Sequence, residues 1–303
     1  MPVIKVEHLR KVYGKVVAVN DISFEVQEGE IFGMVGPNGA GKTTTIECLE
    51  SLRNPDSGKI SVLGLNPRND GYALRERIGI QLQEATLYDR IRVWEALDLF
   101  TSFYHHSIDW NSLLETLGLE DKRNSYINKL SGGQKQRLYI ALALVNDPEL
   151  IFLDELTTGL DPQARRMMWK LVQDIRNQGK TVFLTTHYME EAEQLCNRVA
   201  IIDQGNIIAL DTPENLIRSQ GVDSRIIFSV KEPFEVGHLK KLKRVSRVEC
   251  SNERVIVYGQ GEKLVGEVVN MLTVDGVHFH DLRTEQPTLD DVFLTLTGHE
   301  IRD

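Results

Sequence analysis

The sequence predicts an α/β fold built on a parallel β-sheet, followed by a smaller α+β domain. Residues 31–35, 150–153 and 181–184 are short apolar runs without alternation, typical of strands buried on both faces of a sheet. A helical pattern at 163–177 lies between the last two runs, and strand, helix, strand predicts a parallel pair. After a polar stretch at 219–223 the pattern changes, which predicts two domains, at 1–218 and 224–303.

The other elements of the first domain follow from local periodicity. Alternating apolar residues predict strands at 4–9 and 16–26. Helical spacing predicts a helix at 42–52 and another at 92–106, whose apolar stripe contains Trp94, Leu97, Phe100, Phe103 and Tyr104. We expect a helical subdomain at about 85–145. Residues 199–203 and 206–210 form a predicted hairpin around Gln204-Gly205.

The second domain has the order βαββαβ, which is that of a ferredoxin-like domain. The predicted strands are 225–230, 245–250, 254–258 and 277–282, and the predicted helices are 234–242 and 262–272. A last helix begins at Thr288, because Thr288 and Asp291 have the spacing of a capping box.

Composition excludes several classes of protein. The 303 residues carry a net charge of −9, which disfavours a nucleic-acid surface. Three distant cysteines provide no disulfide framework and no metal-ligand spacing. No apolar run approaches the roughly 18 residues that cross a bilayer. The N-terminus lacks the features of a signal peptide, so we expect the chain in the cytoplasm.

A glycine-rich segment follows the first buried strand and opens the next helix. Its glycines allow backbone N–H groups to converge on phosphate oxygens, and the helix adds its N-terminal dipole. The lysine can bridge the outer phosphates, and the following threonine offers a hydroxyl to Mg²⁺. The predicted phosphate site comprises Gly36, Pro37, Asn38, Gly39, Ala40, Gly41, Lys42, Thr43 and Thr44.

Two adjacent carboxylates end the second buried strand. Ligands bind at the carboxyl ends of strands in open α/β sheets, so we expect Asp154 to coordinate Mg²⁺ directly or through water. By strand alternation Glu155 points the other way, where it can orient or deprotonate the water that attacks a γ-phosphate.

A second glycine-rich helix start lies far from the first, at 130–134. Ser131 is placed as its N-cap, and the free N–H groups of Gly132, Gly133 and Gln134 form an anion site. If the helical subdomain separates the phosphate loop from the helix start at 130–134, one chain cannot bring both sites into contact with the same triphosphate. The sequence therefore predicts a head-to-tail pair of chains, each closing the nucleotide of the other.

These motifs, in this order and spacing, resemble the ATP-binding cassette subunit of ABC transporters over about residues 3–218. The Walker A loop is matched by 36–43, the Walker B strand by 150–154 and the signature by 130–134. The resemblance implies a P-loop NTPase core with an antiparallel β-subdomain and an α-helical signature subdomain. It implies an ATPase that binds ATP and Mg²⁺.

The resemblance also assigns individual residues. Tyr13 matches the ring that stacks on adenine, and His187 the switch histidine that contacts the γ-phosphate. Gln83, with Gln81 as a nearby alternative, matches the glutamine that touches Mg²⁺ and water and senses the membrane partner. Asp161 belongs to the loop that crosses the dimer interface.

Residues 187–193 and 287–293 resemble the branch of cassettes that serve separately encoded permeases, often exporters. This implies two partners, a transmembrane permease that docks near 83–94 and a second cassette, identical or different. It also implies a location at the inner face of the cell membrane. An alternative is a soluble ABC-type ATPase of translation or DNA maintenance, but only 46 residues separate Gln83 from Leu130, too few for the long inserted arm of such proteins. A regulator without turnover is a third alternative, which Glu155 and His187 disfavour.

Overall fold

The computed structural model describes residues 2–81, 87–88, 90–219, 221–231 and 235–299. The chain divides into two compact units between Pro213 and Glu214, earlier than the polar stretch at 219–223. Each unit has its own sheets and its own buried core. Within the described ranges, no helix combines the length and the apolar character needed to cross a membrane.

The first unit contains an antiparallel sheet of three strands. Their order is β2-β1-β4, and the strands are β1 (Pro2–Tyr13), β2 (Val16–Gln27) and β4 (Ser57–Val62). Their apolar side chains alternate inward, as expected for a sheet with one solvated face.

The larger sheet has six strands in the order β5-β6-β7-β3-β8-β9. These are β3 (Ile31–Val35), β5 (Ile78–Gln81), β6 (Leu150–Asp154), β7 (Thr181–Thr186), β8 (Arg198–Asp203) and β9 (Asn206–Asp211). All neighbouring pairs are parallel except β8 and β9, which form the predicted hairpin. Every residue of β3, β6 and β7 is buried, which confirms the interpretation of the apolar runs.

A cluster of phenylalanines joins the two sheets. Phe24 of β2 stacks on Phe32 of β3 at 5.5 Å between ring centroids, and Phe32 stacks on Phe183 of β7 at the same distance. Offset aromatic pairs at this spacing stabilise a core beyond their area of burial. The cluster therefore fixes the antiparallel sheet against the strand that leads into the phosphate loop.

Eight helices are described from the start of the chain to Ser219. They are α1 (Lys42–Leu49), α2 (Gly71–Arg75), α3 (Val93–Thr101), α4 (Trp110–Thr116), α5 (Gly132–Leu144), α6 (Pro162–Asn177), α7 (Met189–Leu195) and α8 (Pro213–Ser219). Two short 3₁₀ turns, Glu120–Lys122 and Ile127–Lys129, lie between α4 and α5.

Two predicted helices are shorter than the sequence indicated. Helix α1 ends at Leu49 rather than at residue 52. Helix α3 ends at Thr101 rather than at residue 106, where the hydroxyls of Thr101 and Ser102 donate to carbonyls one turn back. Such side-chain bonds compete with helix continuation. The predicted apolar stripe is wrong past this point, because Phe103 is 63% exposed.

The second unit contains an antiparallel sheet in the order β11-β12-β10-β13. Its strands are β10 (Ser224–Val230), β11 (Val245–Ser251), β12 (Arg254–Gly259) and β13 (Phe279–Glu285). Its helices are α9 (Gly237–Lys240), α10 (Leu264–Val274) and α11 (Leu289–Thr297). Helix α9 is much shorter than the predicted 234–242. The predicted capping box of α11 is confirmed, since Thr288 N donates to Asp291 Oδ2 at 3.0 Å.

Candidate functional site

Two of the three glycines of the predicted phosphate loop, Gly36 and Gly41, are required by close backbone contacts. The loop runs from the buried end of β3 into α1. A Cβ at Gly36 would lie 2.1 Å from the carbonyl oxygen of Ile202, and one at Gly41 would lie 2.4 Å from that of Ala18. Gly41 also has a φ of 105°, in the left-handed region that favours glycine. Any side chain at Gly36 or Gly41 would push the loop away from its neighbours.

The Lys42 side chain is buried within this loop. Its Nζ donates to the carbonyls of Gly36 at 2.8 Å and Pro37 at 3.1 Å, and lies 3.5 Å from Glu155 Oε1. Burial lowers the pKa of Lys42, and the nearby Glu155 carboxylate opposes that effect. An ammonium held in this position suits an anionic ligand.

The loop and Tyr13 share one cavity of about 340 Å³, which is lined by Tyr13, Ala18, Asn38, Gly39, Gly41, Lys42, Thr43, Thr44 and Glu155. Tyr13 is 39% exposed, so one part of its ring is open to a ligand. Lys11 and Arg53 each lie 5.5 Å from the ring centroid. The structure thus brings the predicted adenine-stacking ring beside the predicted phosphate loop.

Asp154 ends β6 beside the start of α1. Its Oδ1 accepts a hydrogen bond from the hydroxyl of Thr185, the residue directly opposite on β7. Burial raises the pKa of Asp154, whereas hydrogen bonds from the hydroxyls of Thr185 and Thr43 lower it. Within the described ranges no three His, Cys, Asp or Glu side chains form a metal cluster. A carboxylate beside a threonine hydroxyl fits Mg²⁺, which keeps several waters and takes few protein ligands.

Glu155 lies between Lys42 and His187. Its Oε2 is 3.5 Å from His187 Nδ1, and both side chains are less than a tenth exposed. The hydroxyl of Thr158 donates to the same oxygen at 3.4 Å. Glu155 has a φ of 50°, an uncommon value for a residue other than glycine, which re-aims the chain as it leaves β6. These contacts place a buried carboxylate against a histidine at the edge of the phosphate site.

The signature residues occupy a different cavity. Ser131 caps α5, since its hydroxyl accepts from Gln134 N at 3.3 Å while Ser131 N donates to Gln134 Oε1 at 2.9 Å. Asp161 caps α6 by accepting from the backbone N–H groups of Gln163 and Ala164. A cavity of about 400 Å³ is lined by both caps, Gly132 and Gly133.

Among the residues that the structure describes, none lines both cavities. The predicted site residues therefore form two groups within one chain. One group surrounds the phosphate loop and the other surrounds Ser131 and Asp161. Gln83 lies outside the described residues, whereas Gln81 is buried at the end of β5, next to Leu153 of β6.

Sequence reasoning missed three residues near the site. The hydroxyl of Thr185 donates a hydrogen bond to Asp154. The sequence hint for Thr185 was its position directly after the apolar run 181–184. Glu50 is the C-cap residue of α1 through its backbone N–H, and its carboxyl is buried. Glu191 is buried on α7 and accepts from Trp169 Nε1 at 3.1 Å. Nothing in the local sequence distinguishes Glu50 or Glu191 from exposed acidic residues.

The fold and these two cavities define a class of protein, the nucleotide-binding cassettes. A family model described as ABC transporter matches residues 19–158. Nod factor export ATP-binding protein I of Ralstonia nicotianae is 37% identical over 309 residues, covering 100% of this chain and 96% of that protein. Linearmycin resistance ATP-binding protein LnrL of Bacillus subtilis is 36% identical, covering 99% of this chain and 100% of that protein.

Solved structures agree with these relatives. The ATP-binding subunit of an ABC transporter is 28% identical, with a TM-score of 0.65, and covers 72% of this chain and 93% of that chain. A second solved structure is a dimeric post-hydrolysis state of an ATP-binding cassette bound to ADP and Pi. It is 26% identical with a TM-score of 0.62, and the match covers 69% of this chain and 98% of that chain.

The chain belongs to the ATP-binding subunits of ABC transporters, in the branch whose named relatives serve export and resistance. The family binds ATP and hydrolyses it to power transport. The predictions of an ABC subunit, of ATP binding and of an ATPase are confirmed. The relatives do not support the alternative of a translation or DNA-maintenance ATPase.

Proposed function

We propose that two copies of this cassette, or this cassette and a similar one, close head-to-tail around two MgATP. The separation of the two cavities is the observation that carries this proposal. Ser131 and Asp161 line a cavity that shares no described lining residue with the cavity of Lys42, so in the proposed dimer the second chain supplies them. The dimeric cassette among the solved structures supports this arrangement.

Tyr13 would stack on adenine, and the loop from Gly36 to Thr44 would hold the phosphates. The loop N–H groups and the N-terminus of α1 offer hydrogen bonds and a partial positive charge. Lys42 would exchange its bonds to the loop carbonyls and its contact with Glu155 for phosphate oxygens.

The metal ligands would be Thr43 and Asp154, with Gln83 as a further ligand. When bound, Mg²⁺ supplies charge neutralisation at the phosphate oxygens. Thr185 fixes the orientation of the Asp154 carboxylate through its hydrogen bond.

Glu155 would orient and deprotonate the attacking water, because its carboxylate lies between the lysine of the phosphate loop and His187. His187 would contact the γ-phosphate through its ring. On ATP binding, movement of Lys42 from Glu155 to the phosphates would remove a positive charge beside the carboxylate, which favours proton transfer to it.

We infer that the chain drives export through a permease and is held at the inner face of the membrane by that partner. The names of relatives concern Nod factor export and linearmycin resistance, and cbiO1 of Clostridium perfringens is part of the complex cbiONQ. The predicted docking region includes Tyr88, which is 88% exposed. The net charge of −9 disfavours nucleic acid as a partner.

For the second unit we propose a ferredoxin-like fold. Its βαββαβ order and the antiparallel strand order β11-β12-β10-β13 support this assignment.

Trapping of ATP tests the closed dimer. Glu155→Gln protein, mixed with MgATP and passed rapidly over a desalting column, should retain about one ATP per chain, because two chains enclose it. Glu155→Gln/Ser131→Arg should bind ATP at equilibrium but lose it on the column. Equal retention by both proteins, or loss of equilibrium binding in the double variant, would overturn the head-to-tail arrangement.

A further inference from the structure

Glu191 is a buried carboxylate on α7, four residues after His187. Its exposed fraction is 1%. Glutamate is almost never fully buried unless it is paired, because burying its charge without hydrogen bonds is costly. The structure must therefore provide donors for this side chain.

The donor to this carboxylate comes from the neighbouring helix α6, where the indole N–H of Trp169 donates to Glu191 Oε1 at 3.1 Å. Burial raises the pKa of Glu191, and the nearby hydroxyls of Thr186 and Thr157, the Trp169 indole and Arg165 oppose that effect.

Both helices adjoin residues of the proposed reaction. Helix α7 begins two residues after His187. Trp169 lies two turns along α6 from its cap, Asp161, which lines the signature cavity. The hydrogen bond between Glu191 and Trp169 thus ties the helix that follows the histidine to the helix that begins at the predicted dimer interface.

The ATP-binding cavity lies elsewhere. Glu191 and its partners are absent from its lining, which consists of the phosphate loop, Tyr13, Ala18 and Glu155. A change at Glu191 should therefore alter the placement of His187 without removing the contacts that Tyr13 and the phosphate loop offer to the nucleotide.

We infer that Glu191 is a positioning residue for ATP hydrolysis, which holds α7, and with it the preceding residue His187, against α6 in the arrangement that the reaction requires. The inference rests on the proposed roles of Glu155 and His187. A displacement of about 1 Å in a reacting group can cost up to 10²-fold in rate. Hydrolysis should therefore depend on Glu191 more strongly than ATP binding does.

The test compares three variants of the full chain. Glu191→Gln keeps the shape of the side chain but removes one acceptor oxygen, and kcat should fall about tenfold or more with the KM for ATP within about twofold. Trp169→Phe removes only the indole donor and should lower kcat less. Glu190→Gln, at the exposed neighbouring position, should have wild-type kcat and KM.

All rates are divided by the number of ATP-binding sites, measured by titration with labelled ATP, so that misfolded protein does not count. A wild-type kcat per site in Glu191→Gln would overturn the inference, as would a KM that rises by the same factor as kcat falls. Glu155→Gln is assayed in parallel. If Glu155→Gln is inactive and Glu191→Gln is not, this inference fails alone, and if Glu155→Gln hydrolyses ATP normally, the proposed function fails.

Discussion

Lys42 Nζ and Glu155 Oε1 lie 3.5 Å apart, with side chains 3% and 6% exposed. The lysine of the phosphate loop is thus paired with the carboxylate that we propose as the catalytic base. Burial disfavours the charged ammonium, and Glu155 offsets that effect. In the proposed function a phosphate that attracts Lys42 separates it from Glu155, so phosphate binding and release of the base would be coupled.

Glu155→Gln should lower kcat by about 10²- to 10⁴-fold, the usual contribution of a general base. The Kd for ATP should stay the same or fall, because Lys42 loses a competing anion. Steady-state phosphate release and equilibrium titration with labelled ATP measure these two quantities. A kcat near that of wild type would show that Glu155 is not the base, and Glu190→Gln is the control for loss of an acidic side chain.

Thr185→Val should destabilise the protein by about 1–3 kcal/mol, because a buried carboxylate loses a hydrogen bond. Thr185→Ser, which keeps the hydroxyl, should cost less. Chemical denaturation of both variants without nucleotide measures the free energy of unfolding. The decrease in the free energy of unfolding should be larger at pH 8 than at pH 4, because the hydrogen bond from Thr185 stabilises the charged Asp154 carboxylate more than the protonated one. An equal loss at both pH values would contradict this account.

Glu50→Gln should stabilise the protein at high pH. Burial holds the pKa of Glu50 well above its usual value, and neither carboxyl oxygen bonds to a described residue. A raised carboxyl pKa means that the contribution of Glu50 is fully present below pH 4.5 and is lost as pH rises through the folded-state pKa. Glutamine stays neutral at every pH, so its burial carries no pH-dependent cost of ionisation.

The melting temperatures of wild type and Glu50→Gln should be similar at pH 5 and should differ by a few degrees at pH 8, with the variant higher. Glu47→Gln, on the same helix and partly exposed, is the control and should show no gain that grows with pH. A constant difference across this range would exclude a neutral Glu50 in the folded protein.

The phosphate loop was predictable because its chemistry is local. Gly36, Gly41 and Lys42 lie within seven residues, and the spacing of glycines fixes where N–H groups converge. The buried strands themselves were predictable for a similar reason, since β3, β6 and β7 contain continuous apolar runs. The lengths of α3 and α9 were not, because side-chain hydroxyls and packing decide where a helix ends.

The hydrogen bond between Thr185 and Asp154 and the burial of Glu50 and Glu191 could not be predicted from the sequence. Thr185 reaches Asp154 only because β6 and β7 pair in a register that places them opposite each other. Glu50 and Glu191 are acidic residues with the local sequence of exposed ones, and only the packing around them decides that they are buried.

The sequence by itself determined the family, the nucleotide and the residue types at the phosphate loop, at the end of β6 and at the signature, because short motifs encode these directly. The tertiary structure decided which of these residues meet. It places Lys42 against Glu155 and assigns Ser131 to a separate cavity. The reason is physical: distances between residues far apart in the chain depend on strand register and core packing, and no local pattern contains that information.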